Sequence, residues 1–147
     1  MRLSTLLISI FCLGNGALSG STGLQRRKSR TTAPSGCLTV GSNGQYSKIN
    51  DAITALGSST SSACIFIASG TYEEQIKIDY AGTLTLYGET TDIMTYKKNT
   101  VTITHTISSE AAGSLDLSAT VNIVSDGTKL YNINVVNGFG KGKQAVA

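Results

Sequence analysis

The residues best suited to chemistry in this sequence are its one histidine and three of its four glutamates. His105 lies in a Thr-rich segment, with no Ser or Cys arranged as a nucleophile for it to activate. Glu73, Glu74 and Glu89 could supply a carboxylate pair for general acid–base chemistry, although glutamates in turns are more commonly solvated. These four residues alone therefore define no catalytic centre, and the elements that surround them must be considered.

The N-terminus has the pattern of an export signal. Arg2 precedes an apolar run over residues 3–13, and Ala17-Leu-Ser19 offers the small-x-small pattern of a cleavage site. We therefore predict a signal peptide over residues 1–19 and a secreted, extracellular protein, the alternative being a buried N-terminal helix. Residues 20–36 are predicted to be a linker or pro-segment, and the basic run at 26–30 is either a processing site or part of a solvated linker.

Export determines how the cysteines are interpreted. Cys12 would leave with the signal peptide, so Cys37 and Cys64 remain as a pair in an oxidising compartment. We predict a disulfide between them, with two separately buried thiols as the alternative. Neither cysteine has a neighbouring His or a second close Cys, which argues against a zinc site.

Charge and composition exclude two classes of function. Residues 1–30 carry five basic residues and no acid, whereas the rest of the chain carries seven Lys and nine acids. The body is therefore slightly acidic, without the clustered basic residues of a nucleic-acid surface. No apolar run reaches the roughly 20 residues that a transmembrane helix needs.

The hydrophobic pattern predicts one helix followed by many short strands. Ile49, Ala52, Ile53 and Leu56 share a helical face, with Ser47 as the predicted N-cap and Gly57 as the stop. Beyond Leu56, helix signals are nearly absent, and apolar residues alternate with Thr, Asn or Ser. Such strands fit a sandwich, a barrel or a solenoid, and a parallel β-helix capped by the helix ranks first. The predicted strands cover residues 64–67, 76–78, 83–87, 101–104, 119–124 and 130–136.

Two short motifs give the chain a family resemblance. Gly70-Thr-Tyr72-Glu-Glu74 resembles the Gly-x-Tyr-x-Glu motif of pectin methylesterases, and Gln144-Ala-Val-Ala147 resembles the start of their Gln-Ala-Val-Ala-Leu motif. Residues 39–53 and 130–139 are similar to the segments that precede these motifs in the family. The ordered set covers essentially all of residues 37–147, in the style of the secreted fungal members.

The resemblance implies an all-β fold, a right-handed parallel β-helix of the pectin-lyase type with an N-terminal capping helix. It implies a pectinesterase, which hydrolyses the methyl esters of homogalacturonan to pectate and methanol. Residues 37–147 are expected to be the N-terminal part of the domain, truncated within the second motif. The expected partner is methyl-esterified homogalacturonan; no nucleic acid, membrane, metal or other cofactor is expected, and the protein is expected to be a monomer.

The resemblance also shows which catalytic groups the sequence lacks. The family uses two aspartates, in Gln-Asp-Thr and Asp-Phe-Ile-Phe-Gly contexts, and neither has a match among the 147 residues. Gln144 corresponds to an oxyanion donor or substrate contact, whereas Glu74 supports the fold beside the cleft. We therefore expect this chain alone to be inactive. The alternatives are a non-catalytic β-helical polysaccharide-binding protein and a β-helical pectate lyase.

Overall fold

The computed structural model describes residues 28–139, and most of their regular structure is β-strand. Short strands with alternating apolar residues form because one face of each can be buried while the other stays polar. The strands are β1 (Leu38–Val40), β2 (Ala63–Ile67), β3 (Gly70–Glu73), β4 (Ile76–Ile78), β5 (Leu84–Gly88), β6 (Val101–His105), β7 (Val121–Ile123), β8 (Lys129–Tyr131) and β9 (Ile133–Asn137).

The described strands form three sheets in which every pairing is parallel. Their strand orders are β1-β2-β5-β8, β3-β6-β9 and β4-β7. β1 and β2 pair in the same sheet, but from β2 onward successive strands belong to different sheets, so β2, β3 and β4 make one pass and β5, β6 and β7 repeat it. Residues at equivalent places therefore stack from pass to pass, as Ile65, Leu86 and Leu130 do.

The core lies between the three sheets. Leu84 and Leu86 of β5, and Val101 and Ile103 of β6, are fully buried, while the residues between them are partly exposed. Full burial of one such side chain contributes roughly 1.5–3 kcal/mol. The alternation predicted for these segments therefore reflects one inward and one outward face, and the expectation of a mostly β protein is confirmed.

The predicted helix is present as α1 (Ile49–Ala55), with Ile49 and Ala52 buried in the core cluster. Gly57, at φ 60°, follows its end in the left-handed conformation, as expected of a C-terminal stop. The prediction of Ser47 as N-cap is wrong. Lys48 holds that position without a side-chain hydrogen bond, because a carboxylate from elsewhere in the chain takes over the capping.

Two short helices were not predicted by the hydrophobic pattern. α2 (Ser109–Ala112) and α3 (Leu115–Ser118) each begin after a serine whose Oγ accepts a backbone N–H three residues on. Such short helices depend on local capping rather than on a buried apolar stripe, so periodicity does not reveal them. None of the helices in residues 28–139 is long and apolar enough to cross a membrane.

The segment predicted as one strand over residues 130–136 is divided between two sheets. Asn132 separates β8 from β9 and has a φ of 56°, in the left-handed region that asparagine tolerates better than most residues. Gly88 allows this corner to pack closely, because a Cβ there would overlap the Asn132 carbonyl oxygen. The chain therefore turns from one sheet to the next at a single residue.

Part of the predicted linker packs on the body of the protein. Arg30 and Thr90 exchange two backbone hydrogen bonds of 2.8 and 2.9 Å. The Arg30 guanidinium lies 4.5 Å from the centre of the Tyr87 ring, and its Nη1 donates to the Gly88 carbonyl at 3.1 Å. These contacts hold residues around Arg30 against β5. Burial lowers the pKa of Arg30 from its ordinary value, although arginine stays charged in proteins.

Candidate functional site

The outward side of the β3-β6-β9 sheet carries a polar surface, here called the polar face. The register aligns Thr71 with Thr102 and Thr102 with Asn134, and places Thr104 beside Glu73. Hydroxyl and amide groups both donate and accept hydrogen bonds, as recognition of sugar hydroxyls requires. The polar face therefore has the chemistry to bind a carbohydrate chain.

Asparagine side chains fix one end of the polar face. Asn134 Oδ1 accepts from Asn99 Nδ2 at 3.0 Å, and its Nδ2 donates to Thr102 Oγ1 at 3.4 Å. Asn132 Nδ2 donates to Asn99 Oδ1 at 3.3 Å, and Arg30 Nη1 donates to Asn132 Oδ1 at 3.3 Å. This network holds the amide dipoles in set orientations, so a ligand would meet groups that are already ordered.

Glu74 of the Gly-x-Tyr-x-Glu motif caps helix α1. Its Oε1 accepts the Ile49 N–H at 2.8 Å, and its Oε2 accepts the Asn50 N–H at 3.1 Å. These are first-turn donors that have no partner within a helix. A carboxylate at this position is also favoured by the partial positive charge of the helix N-terminus. The structure therefore gives Glu74 a structural role.

Tyr72 of the same motif is half-buried beneath the corner between β2 and β3. Its hydroxyl donates to the Ala68 carbonyl at 2.9 Å. Burial, with smaller contributions from the charges of Glu74 and Glu89, raises the pKa of Tyr72 above its ordinary value. Gly70 begins β3, and its N–H donates to the Thr100 carbonyl at 3.0 Å. Tyr72 and Glu74 thus connect β3 to the end of β2 and to α1, and Gly70 connects β3 to the residue before β6.

The other acidic candidates and the histidine have separate partners. Glu73 lies exposed on the polar face, whereas Glu89 Oε2 accepts the Ser69 N–H at 2.7 Å. His105 ends β6 beside Asn137 of β9. A carboxylate pair built from these glutamates therefore has no support in their hydrogen bonding.

The structure joins Cys37 and Cys64 in a disulfide, with an S–S distance of 1.99 Å and a Cα–Cα distance of 4.7 Å. The bridge connects the residue before β1 to the second residue of β2. Within residues 28–139, no group of three or more His, Cys, Asp and Glu residues is placed to hold a metal ion. Gln144, the one residue with an expected catalytic role, lies outside these residues.

Comparison with known proteins finds close similarity to fungal proteins. It is 75% identical to a probable pectinesterase A of Aspergillus niger over 124 residues, or 84% of this chain. It is 61% identical to pectinesterase A of Emericella nidulans over 100% of this chain. The structure matches the crystal structure of the pectin methylesterase from Aspergillus niger with a TM-score of 0.80 and 76% sequence identity, covering 80% of this chain. Over most of its length, this chain is similar to fungal pectinesterases.

The match covers less than half of each relative. The chain spans 38% of the Aspergillus niger pectinesterase A, 45% of the Emericella nidulans protein and 40% of the crystallised chain. No protein-family model matches the sequence. The similarity to pectinesterases thus rests on close relatives and on the fold that they share with this chain.

Sequence reasoning missed the asparagine network of this pectinesterase-like chain. Asn132 and Asn134 alternate with apolar residues, and the pattern was interpreted only as the outward side of a strand. Asn99 comes from a loop more than thirty residues earlier, and its side chain meets theirs only in the folded chain. Parallel pairing, which the pattern did not specify uniquely, brings these side chains together.

Proposed function

We propose that this chain is part of a secreted pectinesterase that hydrolyses the methyl esters of homogalacturonan to pectate and methanol. The observation that carries the proposal is the 76% identity and TM-score of 0.80 with the pectin methylesterase of Aspergillus niger. Identity at this level extends over most of the chain, so it concerns the whole described fold rather than one motif.

The fold proposed for the complete domain is a right-handed parallel β-helix. Three sheets of purely parallel strands, visited in the same order on successive passes, support this proposal. Helix α1 packs against β1, β2 and β4 near the first pass and would act as the N-terminal cap. The polar face would then form one long side of the solenoid, along which a polysaccharide could lie.

Ester hydrolysis needs groups that the 147 residues lack. By the family resemblance, one carboxylate attacks the ester carbonyl, and a second, protonated carboxyl group gives its proton to the departing methoxide. Water then hydrolyses the acyl-enzyme, which releases the galacturonate carboxylate and restores the attacking group. The sequence contains neither the Gln-Asp-Thr nor the Asp-Phe-Ile-Phe-Gly segment that supplies these groups in the family. Gln144 would stabilise the negative oxygen of the intermediate by hydrogen bonding, a contribution of roughly 3–4 kcal/mol for a well-placed donor.

The proposed location is outside the cell. The export pattern of residues 1–19 supports it. The bridge between Cys37 and Cys64 is also expected of an oxidising compartment. We propose further that the protein acts as a monomer on pectin, without nucleic acid or membrane partners.

A non-catalytic polysaccharide-binding protein is the second candidate, favoured by the ordered polar face. Methanol release from methylated pectin separates the two functions. The test compares the 147-residue chain with a protein extended in the same reading frame through both aspartate segments. We expect turnover only from the extended protein. Turnover by the shorter chain would contradict the assignment of the chemistry to the two aspartates. No turnover by the extended protein, or a reading frame without the aspartates, would contradict the esterase proposal.

A further inference from the structure

A groove of about 500 Å³ lies on a different side of the molecule from the polar face. Its floor is the outward side of the β1-β2-β5-β8 sheet, including Cys64 and Thr85, and Tyr87 lies along it. Its wall is formed by Pro34 and Gly36 of the N-terminal segment. We call this concavity the outer groove, and the esterase chemistry above makes no use of it.

The lining of the outer groove suits a sugar chain. Besides the residues above, Ser35 and Ser62 border it, so hydroxyl groups are available to bond with sugar hydroxyls. Pro34 supplies apolar surface for the C–H faces of sugar rings. The N-terminal wall is held in place by the Arg30 contacts and by the disulfide at Cys37.

The residues that line the outer groove include no acid, and two basic residues lie beside that lining. Arg30 stacks on Tyr87, and both hydrogen bonds that its side chain makes to described residues come from Nη1. Lys129 is exposed and pairs in register with Thr85, on the same outward side of the sheet. Glu89, the next acid along the chain after Tyr87, is engaged with the Ser69 N–H.

We propose that the outer groove binds a stretch of acidic polysaccharide, with carboxylates near Arg30 and Lys129 and sugar hydroxyls on the serine and threonine side chains. This inference rests on the proposed function, because ester hydrolysis converts neutral methyl galacturonate into the free carboxylates that these cations would attract. The outer groove would thus hold de-esterified chain away from the polar face.

The test measures binding of a fully de-esterified oligogalacturonate to the secreted chain by isothermal titration calorimetry. Lys129→Gln should weaken binding about fivefold, since one exposed charge pair is worth up to about 1 kcal/mol. The control is Lys77→Gln, which removes another exposed lysine, from β4 in a different sheet, and should leave the dissociation constant unchanged.

A second pair of variants tests the groove by steric blocking. Ser62→Trp, at the exposed rim, should weaken binding at least tenfold, whereas Ser58→Trp in the same loop, outside the lining, should not. Binding should also be weaker for the fully methyl-esterified oligomer and at high salt. Equal binding by Ser62→Trp and wild type, or no binding by wild type, would overturn the inference.

Different measurements would contradict the esterase proposal and the outer-groove proposal. Absence of methanol release from the extended protein contradicts the esterase proposal and leaves the calorimetric result standing. Methanol release together with unchanged oligogalacturonate binding by Ser62→Trp and Lys129→Gln contradicts only the outer groove.

Discussion

The carboxylate of Glu74 accepts the backbone N–H of Ile49 at 2.8 Å, across 25 residues of sequence. This bond ties the start of α1 to the corner that follows β3, so the capping helix and the first pass of strands are held by one side chain. The glutamate of the Gly-x-Tyr-x-Glu motif therefore belongs to the framework on which the polar face is built.

We predict that Glu74→Gln lowers the free energy of unfolding by about 1.5 kcal/mol, because a neutral amide replaces the two-pronged carboxylate cap. Glu73→Gln is the matched control, since Glu73 is exposed and should change stability by no more than about 0.5 kcal/mol. Urea denaturation with the disulfide intact measures both. Equal effects for the two variants would contradict the capping role.

Tyr72 gives the protein a pH-dependent contribution to stability at alkaline pH. Its pKa is raised above the ordinary 10.0 in the folded chain, first by burial and then by the charges of Glu74 and Glu89. A raised pKa means that the folded state holds the proton more tightly than the unfolded state. The contribution of the protonated Tyr72 hydroxyl to the free energy of unfolding is therefore complete below the unfolded-state pKa. It is lost as the pH rises through the folded-state pKa.

We predict that Tyr72→Phe lowers stability by about 1 kcal/mol at neutral pH, because the Ala68 carbonyl loses its donor. The variant should also lose stability less steeply than wild type as the pH rises above about 10. Tyr96→Phe is the control, since Tyr96 is 76% exposed. Parallel stability curves for wild type and Tyr72→Phe in this range would argue against the assignment.

For the disulfide, we predict one linked peptide pair in non-reducing mass spectrometry of secreted protein, joining Cys37 to Cys64. Replacing both cysteines with alanine should lower the free energy of unfolding by roughly 3 kcal/mol, because the bridge restricts the unfolded chain. Two free thiols after denaturation of the wild-type protein would show that the pairing is wrong.

Substitutions at Asn132 test the left-handed backbone conformation at the turn between β8 and β9. Asn132→Val should destabilise the protein by about 2 kcal/mol or more, because a β-branched residue is strained at a φ of 56°. Asn132→Gly relieves the backbone strain but removes the hydrogen bonds to Asn99 and Arg30, so its cost should be smaller. If thermal unfolding ranks the two variants in the reverse order, the strain argument fails.

The sequence revealed the parts of the fold that follow from periodic burial. Residues 83–87 alternate apolar and polar, and they form β5 with its inward Leu84 and Leu86. The corners were harder to predict, because Asn132 breaks a continuous apolar alternation through its backbone conformation alone. The cap of α1 was missed for a related reason, since Glu74 lies far from Ser47 in sequence and meets the helix only after the strands have paired.

The last prediction concerns Gln144, whose role follows from the family resemblance. In the extended protein, Gln144→Ala should lower kcat by roughly 10²–10³-fold if the amide stabilises the negative oxygen in the transition state. A residue that served only to bind the sugar chain would mainly raise KM. Thr71→Val, on the polar face, is a useful comparison, because loss of a hydroxyl that contacts substrate equally in ground and transition states raises KM alone. Methanol release at varied pectin concentration gives both constants, and an unchanged kcat for Gln144→Ala would remove Gln144 from the reaction.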